Sequence, residues 1–178
     1  MRARLLVSMI TLGLAWAGTT PAIAADECTG FKWDVSKEHA LFGGTSVTLV
    51  AGKDSASAPT IDVNRLYLLQ LKPQTSVAFA LPPGKSVPAA DAYAGLVALK
   101  LAAPGNYRVS VDVPLWIDVV ANGKLEAPVD YQGQQQCSAP HKIVEFDLSD
   151  ASQFVVQISS SNTTNVRLTV TPTPKRTT

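Results

Sequence analysis

The side chains able to do chemistry are few. The chain of 178 residues holds two histidines, His39 and His141, and two cysteines, Cys28 and Cys137. A ring-cleaving non-haem iron centre takes two histidines and one carboxylate on one face of the metal, so both histidines would have to be ligands, with Glu145 or Glu38 as the acid. On a strand, however, His141 and Glu145 share a face about 13 Å apart, too far to share one ion without a bend. The set His39, His141 and Glu145 is therefore a candidate metal site that competes with a plainer reading, two histidines at the surface or at loop edges. The cysteines are expected to pair with each other, because two is the number that leaves no thiol over in an oxidising compartment. A Cys28–Cys137 disulfide would close a loop of about 110 residues, for which chain entropy allows up to ~4–5 kcal/mol. It would also draw the neighbourhoods of His39 and His141 together.

Nothing points to a nucleophile. No Gly-x-Ser-x-Gly elbow occurs, and Gly84-Lys85-Ser86 matches only the end of a phosphate-binding loop, since Phe79 stands where the first glycine belongs. Glu126 and Asp130 could serve glycoside hydrolysis as a pair, but they flank Pro128 and read as solvated turn charges in a loop. Asn162-Thr163-Thr164 is a formal glycosylation sequon. No cofactor is expected. Aromatic rings are the remaining candidates, because sugar-binding sandwiches hold ligands on exposed Trp and Tyr faces. Trp116 shares a strand face with Asp118 and Val120, opposite Leu115, Ile117 and Val119. The core is its expected place, and an outward ligand platform is the alternative. Trp33 is expected to plug one end of the fold, with the same alternative.

The elements that must position these residues are strands. Period-two alternation runs through Tyr107–Val113, Lys142–Leu148, Phe154–Ile158 and Val166–Val170, with one face apolar and the other set to meet water. Further strands are expected at Ser46–Val50, Val63–Leu71, Val77–Leu81, Gly95–Leu101 and Leu115–Ala121. Turn signals such as Pro104-Gly105-Asn106 and Asn122-Gly123 separate them. The spacing predicts an all-β, antiparallel β-sandwich, jelly-roll-like, with one short N-terminal helix at Lys37–Phe42, capped by Ser36 and stopped by a left-handed Gly43. Residues 1–25 read as a cleavable signal peptide: Arg2 and Arg4 precede an apolar run from Leu5 to Ala17, and Ala22-Ile23-Ala24 suits a signal peptidase. Residues 26–171 then form a single domain, and 172–178 a disordered tail. The expected address is periplasmic or secreted, with no membrane span once the signal is cleaved. The formal charge of +1 includes Arg2 and Arg4, so without them it is −1. With no basic patch, nucleic acid is excluded as a partner.

The stretch from Leu66 to about Thr171 carries Tyr67-Leu68-Leu69-Gln70-Leu71, Val77-Ala78-Phe79-Ala80-Leu81, Ala103-Pro104-Gly105-Asn106-Tyr107 and Trp116-Ile117-Asp118-Val119-Val120. It resembles the bacterial pre-peptidase C-terminal domain, a family of small β-sandwich modules of exported proteins in which a glycine turn leads into a tyrosine-bearing strand. The resemblance implies a non-catalytic binding or folding-support module and transfers no catalytic residue. Cys28–Asp34 and Pro140–Phe146 are similar to segments of small exported proteins labelled homogentisate 1,2-dioxygenase, which implies the iron chemistry weighed above. The expected function is an exported binding or structural module for an unknown protein or glycan. The alternatives are a metal-dependent, dioxygenase-like enzyme using His39, His141 and a nearby carboxylate, and a glycan-binding module using exposed aromatics.

Overall fold

Successive side chains of a strand point to opposite faces, so an apolar residue at every second position commits one face of each strand to an interior. A computed structural model, which describes residues 30–85, 91–137, 139–149 and 153–174, shows what that commitment builds. The described residues form one α-helix, α1 (Ser36–Phe42), and twelve strands. In chain order the strands are β1 (Val47–Val50), β2 (Thr60–Ile61), β3 (Leu66–Gln70), β4 (Lys72–Pro73), β5 (Tyr93–Lys100), β6 (Asn106–Val111), β7 (Trp116–Ala121), β8 (Lys124–Leu125), β9 (Pro128–Gly133), β10 (Lys142–Asp147), β11 (Gln153–Ser161) and β12 (Asn165–Pro172).

They make an all-β sandwich. The first sheet runs β1-β3-β12-β6-β10-β9, and the second runs β2-β5-β11-β7-β8 with β4 added to β5. Most neighbours are antiparallel, as the sequence predicts. The exceptions are β1 on β3 and β2 on β5, both at sheet edges. Between the sheets, Tyr67, Leu69, Val109, Val144, Phe146, Leu168 and Val170 pack with Val97, Leu99, Ile117, Val119, Phe154, Val156 and Ile158 in one cluster. Burying a side chain of this size contributes roughly 1.5–3 kcal/mol, so this layer dominates the stability. After β1 the chain passes from one sheet to the other, and Gly52 exchanges backbone hydrogen bonds with Leu96 at 2.9 and 3.0 Å. Gly95 permits that approach, because a Cβ there would collide with the Cβ of Ala51.

The outer faces carry covers that the alternation did not predict. Helix α1 packs against β12, and its neighbourhood hides the outward-pointing Arg108, Ser110, Glu145, Thr169 and Thr171, all buried. The water-facing side expected for β6 and β10 is thus corrected. At the helix, the N-cap Val35 and the helical Glu38 and Phe42 are buried at i, i+3 and i+7, the spacing of one helical face. Over the second sheet lies a strap, residues 77–85. Its first part, Val77–Leu81, was expected as a strand but has no ladder partner. The amide of Gln157 replaces one, accepting from the Leu81 N–H at 3.4 Å and donating to the Leu81 carbonyl at 3.0 Å.

Smaller corrections have local causes. Pro128, expected in a loop, lies on β9 at the sheet edge, where a missing N–H breaks no ladder. Gly43 stays right-handed at φ −77 because its N–H still reaches the His39 carbonyl at 3.0 Å. Ser36 is the first helical residue, and both its N–H and its hydroxyl turn back to the Asp34 carboxylate. Strand β12 continues to Pro172 and the Thr173 N–H donates to the Asn106 carbonyl at 2.9 Å, so the chain is still paired where a tail was expected. The signal segment 1–25 and residues 175–178 lie outside the described residues.

Candidate functional site

The register of the first sheet decides the fate of the expected metal ligands. Thr171, Arg108 and Glu145 pair side by side across β12, β6 and β10, forming one row beneath the N-terminal cover. Arg108 sits in the middle. Its Nε donates to Glu145 Oε2 at 3.4 Å, its Nη1 lies 3.9 Å from Glu38 Oε1, and Nη1 donates to the Asp34 carbonyl at 2.9 Å. The Trp33 ring lies over the guanidinium, 4.6 Å from its centroid. Asn106 Nδ2 donates to Glu145 Oε1 at 3.1 Å, and the Thr171 hydroxyl donates to Glu38 Oε1 at 2.5 Å. Both candidate carboxylates are therefore engaged by a cation and a neutral donor, and Trp33 is a lid on that cluster, not an open platform.

The histidines stand elsewhere. His39 is half-buried on α1, and His141 places Nδ1 3.1 Å from the Cys137 carbonyl at the start of β10. Among the described residues no three His, Cys, Asp or Glu side chains come together as a metal site. Cys137 is buried just before His141. Its expected partner, Cys28, lies outside the described residues.

A different constellation forms around Trp116, at one end of the sandwich. The core takes Leu115, Ile117 and Val119, so the pleat turns Trp116 and Asp118 to the outer face of the second sheet. Trp116 is half-buried there, which overturns its expected core position. Its Nε1 donates to Asp118 Oδ1 at 2.9 Å, and the other carboxylate oxygen accepts from the Gly84 N–H at 3.1 Å. A single acid thus fixes the indole and fastens the strap. Gly84 is needed at this point, since a Cβ on it would stand 2.9 Å from Asp118 Oδ1.

Two lysines reach the same ring from different layers. Lys85 comes from the strap, with Nζ 5.7 Å from the ring centroid. Lys142 comes from β10 of the first sheet, with Nζ 5.0 Å from the centroid and donating to the Leu115 carbonyl at 3.0 Å. Together with Pro114, Leu115 and Ser160 they line a hollow of about 320 Å³. Ser160 follows Ser159, the register partner of Trp116, at a bulge in the β11–β5 ladder. It holds φ 59, a left-handed conformation that costs a non-glycine residue energy. The sequence carried one legible signal for this site, the separation of Trp116 and Asp118 from the apolar face of β7. The arrival of Lys85 and Lys142 depends on tertiary structure alone.

A larger hollow of about 540 Å³ lies on the second sheet, lined in part by Ala80, Ala98, Lys100, Val120, Asn122 and Phe154. Among the described residues Lys100 is its one charged wall residue, so charged groups do not converge there as they do at Trp116. Neither a protein-family model nor a curated protein matches this chain.

Burial first, and the neighbouring Lys85 ammonium second, hold Lys142 below the ordinary lysine value of 10.5, while Asp118 pulls the other way. The unfolded chain therefore keeps its proton on Lys142 to higher pH than the folded chain does. Charged Lys142 costs stability at neutral pH, and the cost fades as pH rises through its lowered value toward 10.5. Lys142→Met is expected to remove this contribution, so that urea unfolding at about pH 8 and about pH 10 shows less relative gain at the higher pH than in the parent. For the Arg108 cluster, Arg108→Met strands two buried carboxylates and is expected to lower unfolding free energy by about 3–5 kcal/mol, read by urea denaturation at neutral pH.

Proposed function

We propose that this chain is an exported, non-catalytic binding module that holds its ligand at the Trp116 end of the sandwich. The observation that carries this reading is the indole itself, fixed through its own N–H by Asp118 at the wall of a hollow of about 320 Å³. Small-molecule sites are concave and largely preformed, with a few polar groups placed among apolar walls. A ring held in advance loses little rotamer freedom when a ligand arrives. The sandwich fold and the resemblance to the pre-peptidase C-terminal family support a module that binds, and residues 1–25 support an address in the periplasm or outside the cell. A glycan, or a segment of a partner protein, is the class of ligand that such a module presents to its surroundings.

The binding reading is tested by titrating the isotopically labelled protein with neutral and acidic saccharides and short peptides while following the Trp116 indole N–H by NMR. A saturable shift centred on Trp116, Leu115 and Ser160, weakened about tenfold or more by Asp118→Ala, is the expected result. Shifts that cluster on another surface, or none from any ligand, would discard it. For export, protein made with its own N-terminus in a bacterial host is expected to be recovered outside the cytoplasm, beginning at Ala25 or Asp26. Recovery of the uncut chain in the cytoplasm would count against the address.

A further inference from the structure

Two ammonium groups, those of Lys85 and Lys142, converge on the Trp116 hollow, whereas the buried Arg108 and the half-buried Arg167 each meet carboxylates. Arg108 faces Glu38 and Glu145, and the half-buried Arg167 faces Asp112 at 2.8 Å. These cations are neutralised by carboxylates in contact. Lys85 and Lys142 are not: among the described residues neither has an ion-pair partner, and each has its ammonium within 6 Å of the same indole centroid. The nearest acid, Asp118, has one oxygen on the Trp116 Nε1 and the other on the Gly84 N–H. The electron-rich ring offsets part of the repulsion between the two ammonium groups. It leaves a net positive hollow.

We infer that the Trp116 hollow takes a small organic carboxylate, its acid group held by Lys85 and Lys142 and its body resting against Pro114, Leu115 and Trp116. This rests on the binding reading above and replaces its broad class, a glycan or a protein segment, with the acid group for which the same site is built. A hollow of about 320 Å³ with Pro114 and Leu115 in its wall is larger and more apolar than a bare inorganic anion needs. A carboxylate brings one negative charge and a body that the apolar wall can receive. The strained Ser160 at the bulge belongs to the same wall, and strain of this kind gathers at ligand clamps. Burial first lowers the proton affinity of Lys142 and the Lys85 ammonium adds to it; the Lys85 part is the repulsion that an incoming carboxylate would offset.

The experiment titrates the purified protein at fixed ionic strength with sodium glucuronate, sodium benzoate, glucose and sodium phosphate, following the Trp116 indole N–H by NMR. Saturable binding of glucuronate, benzoate or both is expected, with affinity reduced about tenfold or more in Lys85→Gln and in Lys142→Gln, and with no comparable response to glucose. Glucuronate alone would mark an acidic sugar as the source, and both acids together a broader carboxylate site. Lys85 is exposed on the strap, so Lys85→Gln reads the charge contribution even if Lys142→Gln unfolds. Glucose matching glucuronate would overturn the carboxylate assignment and leave the binding reading standing. Phosphate matching the organic acids, or carboxylate binding untouched by Lys85→Gln, would overturn it too. If neither acid binds, the assignment falls, while the neutral saccharides and peptides decide the binding reading separately.

Discussion

The pleat makes the outer faces of the two sheets the problem that this sequence has to solve. Side chains that cannot enter the core must point outward, and here each sheet is partly covered, so some outward polar groups end up away from water. Most buried polar groups then need a partner; the hydroxyls of Ser110, Ser159 and Thr169 lack one here, while the charged groups have theirs. Both covers are fastened by those partners. The N-terminal segment is tied down where Arg108 meets Glu38 and the Asp34 carbonyl, and the strap where Gln157 meets Leu81 and Asp118 meets Gly84. The hydrophobic layer sets how stable the sandwich is, but these polar pairs set where the two covers land.

That distinction explains what could be read from the chain. Strands β6, β10, β11 and β12 were legible because each repeats an apolar residue at alternate positions within its own length. Helix α1 was legible too, and the burial of its N-cap Val35 with Glu38 and Phe42 on one face was the unused sign that it covers something. The strap deceived because Val77, Phe79 and Leu81 alternate like a strand, yet they join neither ladder and are held by the Gln157 side chain instead. Pattern gives which face is oily and says nothing of which neighbour is free. Arg108 and Glu145 looked solvated for the same reason: their register is a relation between strands far apart in sequence, and only the fold places α1 above them.

The candidate site was legible in part. Alternation along β7 separates Trp116 and Asp118 from Leu115, Ile117 and Val119, which permits an outward indole but does not require one. What the sequence lacked was any sign that Lys85 and Lys142, 57 positions apart, converge on that ring. Lys142 shares a parity with Val144 and Phe146 and therefore points from the first sheet toward the second, where the strand's end leaves room for a long side chain. Lys85 arrives on a strap that Gln157 holds at Leu81 and Asp118 holds at Gly84.

The consequence is a dependence between architecture and binding that runs through one carboxylate. Asp118 holds the indole with one oxygen and the strap with the other, and the strap carries Lys85. An acid placed to neutralise Lys142 directly would have made a stable, closed ion pair like that of Arg167 and Asp112. Used as a fastener instead, Asp118 leaves both ammonium groups without a contacting counter-ion while keeping them within reach of one ring. Folding thereby accepts a modest electrostatic cost at the end of the sandwich, in a place where an anion entering from outside would remove it.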